Sequence, residues 1–417
     1  MTILRGKADR RRPAAWGLLD IGTSKIAAAI LAGDGPEVRV AGVGLQRSKG
    51  VKAGVLTDLD AAESAVRAAI GQAERAAGVT LEGVSVSFAA GRLKSRHFAA
   101  RTQVTTGRVN QADLDRVTAA GREYAEREGR SLVHLNALGY RLDGAPGARE
   151  VRGLAAHQLA ADFHAVTADE APLRNVMLLI ERCYLACDGI IASPYASALA
   201  VTTPEEREIG VTVIDIGAGT AGIAFFAEGQ LAGVDVVPVG SQHLTFDIAR
   251  GLQTPLVEAE RIKTLYGTLI SAQSDEHETF SYPLAGEEEG ATYQTTRARL
   301  TAIIKPRFSQ IFALVRERLA ENPASAFAGD MVVLTGGASQ LLGAQDFASS
   351  ELGRQVRLGR PLTLPGMPAS VAGPHFATLC GLAVAGTQTG ANLHRAFGET
   401  DQQGYFGRVG SWLRSSF

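Results

Sequence analysis

The amino-acid sequence predicts an α/β fold in which two related α/β domains face each other across one cleft. The main observation is a pattern that occurs twice: an apolar strand, an Asp-x-Gly turn and a second apolar strand. The first copy spans residues 18–30 and the second spans residues 213–226. The copies lie too far apart along the chain for a solenoid repeat. Strands alternate with helices after each copy, which is typical of α/β domains.

The composition indicates a globular protein with ample material for a core. The chain has 417 residues, of which 46% are hydrophobic and 20% charged. This length predicts about two to four domain-sized units. A formal net charge of −1 does not favour nucleic acid as a partner. Basic residues are concentrated in residues 1–13, which we predict to be a disordered tail; a supporting contact with anionic lipid is the alternative.

The cysteines and the apolar runs bear on the cellular compartment. Three cysteines without framework spacing favour a reducing environment. Cys183 and Cys187 are predicted to lie on one helix, as buried unreactive thiols rather than metal ligands. No apolar core follows the basic N-terminus, and no run approaches the roughly 18 apolar residues that span a bilayer. We therefore expect a cytoplasmic protein without a signal peptide.

Periodicity and capping residues predict the individual elements. Residue Asn110 is a candidate N-cap. In the first half we expect a hairpin at 16–30, strands at 38–46, 84–88, 132–141, 158–166 and 189–191, and helices at 58–77, 110–128, 173–187 and 193–201. In the second half we expect a hairpin at 211–226, strands at 233–238 and 331–335, and helices at 242–252, 255–266 and 301–319.

The two Asp-x-Gly turns have the composition of phosphate-binding loops. Small residues allow backbone N–H groups and hydroxyls to close around phosphates. The carboxylates of Asp20 and Asp215 could hold a metal ion through water. Each turn alone is a weak signal, and two ordinary hairpins are the alternative interpretation.

Two further motifs favour a nucleoside subsite. A buried strand at 331–335 leads into Gly336 and Gly337 just before a helix, where the backbone can approach an adenosine or a phosphate. On the helix at 255–266, Glu260 and Lys263 are three residues apart and share a face. A carboxylate there can accept ribose hydroxyls while the lysine lies beside adenine. A solvated salt-bridged helix face is the alternative.

The order of these motifs resembles the actin/Hsp70/sugar-kinase ATPase superfamily: a phosphate turn, a connecting helix at 196–201, a second phosphate turn, an adenosine Gly-Gly and a second connecting helix at 376–386. Several stretches are similar to the FtsA family of bacterial cell-division proteins within it. They are residues 190–200 (IIASPYASALA), 240–249 (GSQHLTFDIA) and 303–307 (IIKPR). The resemblance covers residues 16–386 and the C-terminal tail.

The second turn departs from the family pattern Asp-Ile-Gly-Gly-Gly-Thr-Thr-Asp. Ala218 replaces a glycine, Ala221 replaces a threonine, and Gly222 stands where an aspartate is usual; Ser241 also replaces a second glycine. The first turn and the adenosine strand match well. Loss of a carboxylate near the phosphates affects hydrolysis more than binding, so we expect a nucleotide-dependent assembly switch with slow or absent hydrolysis.

The resemblance implies an actin-like ATPase fold and an ATP–Mg²⁺ site between its halves. Asp20 and Asp215 are implied as catalytic carboxylates that bind the metal through water. The implied nucleotide-binding residues are Gly22, Thr23, Ser24, Lys25, Gly217, Ala218, Gly219, Thr220, Glu260, Lys263, Gly336, Gly337 and Ala338.

The resemblance also implies a domain organisation. The first actin-like domain would comprise residues 14–83, 167–204 and 363–386, with an FtsA-type inserted subdomain at 84–166. The second domain would comprise 205–240 and 301–362, with a further subdomain at 241–300. A flexible linker at 387–403 would lead to a terminal helix at 404–417.

Residues 404–417 have the pattern of an amphipathic helix that lies in a membrane interface. Large apolar side chains would share one broad face, flanked by Arg408 and Arg414. Such a short helix is marginal in water, so its folding would be coupled to binding. Docking on the protein's own body is the alternative. The membrane-facing residues would be Tyr405, Phe406, Val409, Trp412, Leu413 and Phe417.

The FtsA resemblance implies a peripheral protein on the cytoplasmic face of the inner membrane at the division septum. Its implied partners are the FtsZ C-terminal peptide, further copies in a filament, lipid, and later division proteins that bind the inserted subdomain. Candidate contacts for the acidic FtsZ peptide are Arg299, Lys305 and Arg307. The alternatives are another actin-like scaffold, such as a pilus-assembly ATPase, and a small-molecule kinase of the same superfamily.

Overall fold

The structure is a computed structural model that describes residues 15–33, 38–90, 92–127, 129–146, 150–286, 291–362 and 364–388. The predicted basic tail at 1–13 and the amphipathic helix at 404–417 lie outside these residues. The predicted linker at 387–403 lies outside them from residue 389 onward. No helix within the described ranges combines the length and apolar content that a bilayer span requires.

The first half of the chain builds a five-stranded sheet with helices packed against it. Strands run in the order β11-β6-β1-β2-β3, with β1, β2 and β3 antiparallel and β6 and β11 parallel to β1. Its elements are β1 (Ala15–Ile21), β2 (Lys25–Ala32), β3 (Arg39–Arg47), the small hairpin β4 (Val51–Lys52) and β5 (Val55–Leu56), α1 (Leu59–Ala77), β6 (Gly83–Phe88) and, after an insertion, α3 (Glu170–Arg182), β11 (Ala186–Ala192) and α4 (Ser193–Val201).

The second half repeats this arrangement. Its five strands run in the order β14-β13-β12-β17-β18, again three antiparallel strands followed by two parallel ones. The predicted α/β class, with two related domains, is therefore confirmed. The elements are α5 (Pro204–Ile209), β12 (Val211–Ile216), β13 (Ala221–Ala227), β14 (Gln230–Val237), α6 (Ser241–Leu252), α7 (Leu256–Tyr266), β15 (Thr279–Tyr282), β16 (Tyr293–Thr296), α8 (Arg297–Glu321), β17 (Met331–Thr335), α9 (Ala344–Leu352), β18 (Gln355–Leu358) and α10 (Ala377–Gln388).

The inserted subdomain is a four-stranded sheet in the order β7-β10-β8-β9 with α2 on one face. As predicted, Asn110 caps α2: it accepts a hydrogen bond from the backbone N–H of Asp113, whose side chain accepts one in return. The long edge strand β7 was not predicted. The elements are β7 (Lys94–Gln103), α2 (Gln111–Ala125), β8 (Arg130–Leu142), β9 (Ala145–Pro146) and β10 (Gln158–Asp169).

The helix predicted at 173–187 is wrong at its C-terminal end. Helix α3 ends at Arg182, Tyr184 adopts a left-handed conformation with φ of 61°, and strand β11 begins at Ala186. Cys183 and Cys187 therefore do not share a helix. Both are partly buried, and burial raises the pKa of each thiol to about 11, which makes them poor nucleophiles at neutral pH.

Helices α4 and α10 cross at the centre of the molecule. At the crossing, a Cβ atom added to Gly381 of α10 would lie 1.6 Å from the carbonyl oxygen of Ala196 in α4. Only glycine permits this approach of two helix backbones. The crossing fixes both helices beside the β12–β13 turn, where each presents a hydroxyl group to the site.

Candidate functional site

A cavity of about 950 Å³ lies between the two five-stranded sheets, at their Asp-x-Gly turns. Both carboxylates and all the nucleotide-binding residues predicted from the sequence line it. They are Asp20, Gly22, Thr23, Ser24, Lys25, Asp215, Gly217, Ala218, Gly219, Thr220, Glu260, Lys263, Gly336, Gly337 and Ala338. The structure thus brings these residues together, whereas their functional roles stay predictions.

The two turns have the same local geometry. In the first, the backbone N–H of Gly22 donates to the carbonyl of Lys25 over 3.0 Å. In the second, Gly217 donates to Thr220 over 2.9 Å. The turns also approach each other closely, since a Cβ atom on Gly219 would lie 2.3 Å from Thr23 Oγ1. Backbone amides and hydroxyls of both sheets therefore surround one end of the cavity.

The carboxylate of Asp20 is almost entirely buried at the end of β1, with 8% of the residue exposed. Ser87, at the end of the adjacent strand β6, donates its hydroxyl to Asp20 Oδ1 over 2.7 Å. Burial raises the pKa of Asp20, opposed by the charge of Lys25 and by this hydrogen bond. The side chain is thus held in place by a neighbouring strand.

Asp215, the equivalent residue of the second sheet, is held by the two crossing helices. Ser197 of α4 and Thr378 of α10 both donate to its Oδ2 atom, the latter over 3.4 Å. Burial raises the pKa of Asp215, and the charge of Asp20 adds to that effect. Two like charges thus interact across the cavity.

The ammonium group of Lys25 interacts electrostatically with both carboxylates. Burial lowers the pKa of its ammonium group, while the charges of Asp20 and Asp215 oppose the shift. The ammonium donates to the carbonyl of His375 and lies 4.6 Å from the ring centroid of Phe376. The segment before α10 therefore contacts the first phosphate turn directly.

The predicted nucleoside residues form a hydrogen-bonded cluster in the second half of the chain. Lys263 Nζ lies 2.7 Å from Glu260 Oε2 and 3.0 Å from Thr245 Oγ1, and Thr245 donates to Glu260 over 2.6 Å. Nearby, Gly336 has φ of 88°, and a Cβ atom there would lie 2.2 Å from Asp215 Oδ1. Glycine at this position therefore leaves room for the Asp215 carboxylate against the backbone.

The donor set fits a nucleotide with a magnesium ion. Two buried carboxylates suit an ion that keeps most of its water shell, as Mg²⁺ does. Among the described residues, no three His, Cys, Asp or Glu side chains cluster as a metal site, so a fully protein-ligated ion is not indicated there. The small turns offer backbone N–H groups to phosphate oxygens.

Several lining residues were not found from the sequence. They include Arg47, Ser48, Gln340, His375 and Thr378. Arg47, Ser48 and His375 lie outside the predicted motifs, whereas Gln340 follows the Gly336-Gly337 motif and Thr378 lies in the predicted second connecting helix. His375 contacts Gln340 through a 3.2 Å hydrogen bond. Their positions follow from the packing of the two sheets.

The predicted partner-binding residues lie on α8 and do not line the cavity. Arg307 forms a two-pronged ion pair with Asp247 of α6, at 2.6 and 3.0 Å. Lys305 donates to Ser271 Oγ over 2.6 Å, and Arg299 donates to the carbonyl of Gly251. Arg307 and Arg299 thus both contact α6, whereas Lys305 contacts the segment after α7. The predicted membrane-facing residues lie outside the described residues.

Comparisons with known families and proteins agree with one another. Residues 212–381 match the family model "Cell division protein FtsA", and residues 90–167 match "SHS2 domain inserted in FTSA". The chain is 37% identical to the cell division protein FtsA of Agrobacterium fabrum, over 96% of this chain and 94% of that protein. It is 29% identical to the FtsA of Escherichia coli K12, over 96% and 97%.

Solved structures show the same fold at low sequence identity. The PilM–PilN type IV pilus biogenesis complex aligns with a TM-score of 0.64 and 17% identity, over 89% of this chain and 98% of that one. MreB5 of Spiroplasma citri bound to AMPPNP aligns with a TM-score of 0.53 and 13% identity, over 93% and 100%. These likenesses confirm the actin-like fold, and the family-model match of residues 90–167 confirms the inserted subdomain.

Proposed function

This chain belongs to the FtsA family of cell-division proteins, and from that premise we propose that it binds ATP and anchors FtsZ filaments to the inner membrane at the division septum. The observation that carries the nucleotide part is that all the residues predicted to bind it line one cavity. Neither the pilus-assembly nor the small-molecule-kinase alternative is favoured by the curated relatives.

We propose that ATP with Mg²⁺ lies with its phosphates between the two turns. Mg²⁺ would neutralise phosphate charge, held through water by Asp20 and Asp215. Lys25 and the backbone of both turns would bind phosphate oxygens, and Glu260 would accept ribose hydroxyls. Gly222, which lines the cavity where the family pattern has an aspartate, supplies no base. Slow or absent hydrolysis follows, and nucleotide state rather than turnover would control assembly.

Self-association into filaments is supported by exposed apolar residues at one end of the second sheet. Ile209 and Phe327 are 84% and 70% exposed. Their segments touch, because a Cβ atom on Gly210 would lie 2.9 Å from the carbonyl oxygen of Phe327. Exposed apolar side chains that are grouped together are candidates for a protein–protein contact. We propose that the inserted subdomain serves as the separate binding surface for later division proteins.

Membrane attachment is assigned to residues 404–417. Each large apolar side chain that is fully buried contributes about 1.5–3 kcal/mol, part of which offsets helix folding. A single tail therefore binds reversibly, and several tails on one filament bind more tightly through avidity.

Deleting residues 404–417 is expected to move the protein from the pellet to the supernatant in co-sedimentation with anionic liposomes and ATP. Trp412→Glu in the full chain is expected to have the same effect, because it places a charge on the apolar face. Trp412→Phe is the matched control, because it keeps an apolar aromatic side chain, and it should leave pelleting unchanged. Equal pelleting of the full chain and the 404–417 deletion would refute the anchor.

Binding of the FtsZ C-terminal peptide is assigned to the α8 cations. Arg307→Glu is expected to weaken binding of this acidic peptide by about threefold to tenfold, as for a partly exposed ion pair. Fluorescence anisotropy of a labelled peptide measures the change.

The ion pair with Asp247 requires a control, since Arg307→Glu also disturbs α6. The double variant Arg307→Glu/Asp247→Arg restores the intramolecular pair with reversed polarity. If Arg307 contacts the peptide, the double variant stays weak. Recovery of wild-type affinity would show that the single substitution acted through the fold, and would remove Arg307 from the site.

A further inference from the structure

Arg47 lies directly opposite Lys25 across two antiparallel strands. It is the last residue of β3, and its register partner on β2 is Lys25, the residue that ends the first phosphate turn. Both side chains line the cavity. Like charges in directly opposed positions destabilise a sheet, so this pairing calls for a compensating anion.

The charges around the cavity leave Arg47 without an internal counter-ion. Among the described lining residues, Lys263 is paired with Glu260, and Lys25 interacts with both Asp20 and Asp215. Arg47 is exposed, and its side chain makes no hydrogen bond or ion pair with any residue in the described part of the chain. Its guanidinium group is therefore available to a ligand.

The next residue supplies a second available donor. The backbone N–H of Ser48 donates to the carbonyl of Ser24, over 3.1 Å, which fixes Ser48 beside the first phosphate turn. The hydroxyl oxygen of Ser48 is buried and has no hydrogen-bond partner within the described ranges. A buried hydroxyl without a partner costs free energy unless a ligand or water satisfies it.

Position along the cavity indicates which part of a nucleotide these donors would meet. The nucleoside cluster of Glu260 and Lys263 belongs to the second half of the chain. Arg47 ends β3 of the first sheet, which lies beside the strand that follows the first phosphate turn, and Ser48 comes directly after it. A phosphate chain that begins at the nucleoside cluster and passes between the two turns would therefore place its terminal phosphate near Arg47 and Ser48.

We propose that Arg47 and Ser48 bind the terminal phosphate of a nucleoside triphosphate, so that the site distinguishes a triphosphate from a diphosphate. The inference rests on the proposed nucleotide-binding function. The planar guanidinium group matches phosphate oxygens with two parallel hydrogen bonds, and the hydroxyl adds a third. A diphosphate bound at the same nucleoside cluster would leave both donors unused.

The test compares a non-hydrolysable ATP analogue with ADP, both with Mg²⁺, by isothermal titration calorimetry on the full chain. Arg47→Ala is expected to weaken the analogue about 10- to 100-fold, the range of a hydrogen bond to a charged group, and to change ADP binding less than about threefold. Arg47→Lys should recover part of the loss, because it restores the charge without the fork. Ser48→Ala should lower the preference for the triphosphate in the same direction.

Arg39→Ala is the matched control. Arg39 is exposed at the other end of the same strand and does not line the cavity. Thermal unfolding of each variant reports whether the fold is intact. If Arg47→Ala binds both nucleotides as Arg39→Ala does, or loses both equally, the assignment is overturned while nucleotide binding stands. If the wild-type protein binds neither nucleotide, the proposed function fails and this inference fails with it.

Discussion

Gly381→Ala is expected to destabilise the protein strongly, lowering the free energy of unfolding by about 3 kcal/mol or more. The added methyl group would lie 1.6 Å from the carbonyl oxygen of Ala196, and both atoms belong to packed helices. Relief requires the two helices to separate. Because Ser197 and Thr378 hold Asp215 from these helices, the substitution should also weaken nucleotide binding.

Gly71→Ala is the control for helix propensity. Gly71 lies inside α1, and a Cβ atom there would meet only the guanidinium end of Arg75, at 3.3 Å. That flexible side chain can move. The free energy of unfolding of the variant should therefore rise by about 0.5–1 kcal/mol, because helices favour alanine over glycine. Chemical denaturation of both variants measures the contrast. Similar values for the two variants would show that the crossing tolerates a side chain.

Asp20→Asn is expected to weaken nucleotide binding without lowering the free energy of unfolding. It removes a buried charge with little change of shape, and its side-chain oxygen can still accept from Ser87. The affinity for ATP with Mg²⁺ should fall about 10- to 100-fold, as when a residue that orients metal-bound water is lost. The free energy of unfolding should be equal to or higher than that of the wild type.

The pH dependence of this variant follows from the raised pKa of Asp20. A carboxyl group whose pKa is higher in the folded state favours unfolding once it ionises. Ionisation of Asp20 should therefore lower the free energy of unfolding of the wild type as pH rises above the ordinary pKa near 3.8. The asparagine variant has no carboxyl group to ionise at this position. The difference in the free energy of unfolding between the variant and the wild type should therefore grow in favour of the variant from acidic to neutral pH. Denaturation at several pH values tests this. Asp330→Asn, in the exposed loop before β17, is the control. A variant less stable than the wild type at neutral pH would contradict the expectation.

The parts of the site that the sequence predicts are those with a local pattern. The turns at Asp20 and Asp215 combine an apolar strand, small residues and a second strand, and this pattern determines the backbone around them. The same is true of Gly336, where a strand meets a turn that requires positive φ. Two copies of one pattern also predicted two related domains.

The groups that complete the site have no such pattern. Ser87 lies on a strand with a second serine, Ser85, and Ser197 lies on a helix that begins with another, Ser193. Only the packing of distant segments brings Ser87 and Ser197 to the carboxylates. Arg47 at a strand end has the appearance of an ordinary surface cation until its register partner is known. The early end of α3 depends on Tyr184 in a left-handed conformation, which residue type alone does not favour.

Because the hairpin is repeated, two equivalent carboxylates, Asp20 and Asp215, face the same cavity. Each half contributes one buried carboxylate to the same space, and the charge of Asp20 acts on Asp215 across it. Lys25 offers one positive charge to two negative ones. Ionisation of both carboxylates therefore opposes a close approach of the two turns, and a further cation between them would offset that repulsion, so we expect a bound cation to favour closure of the two halves.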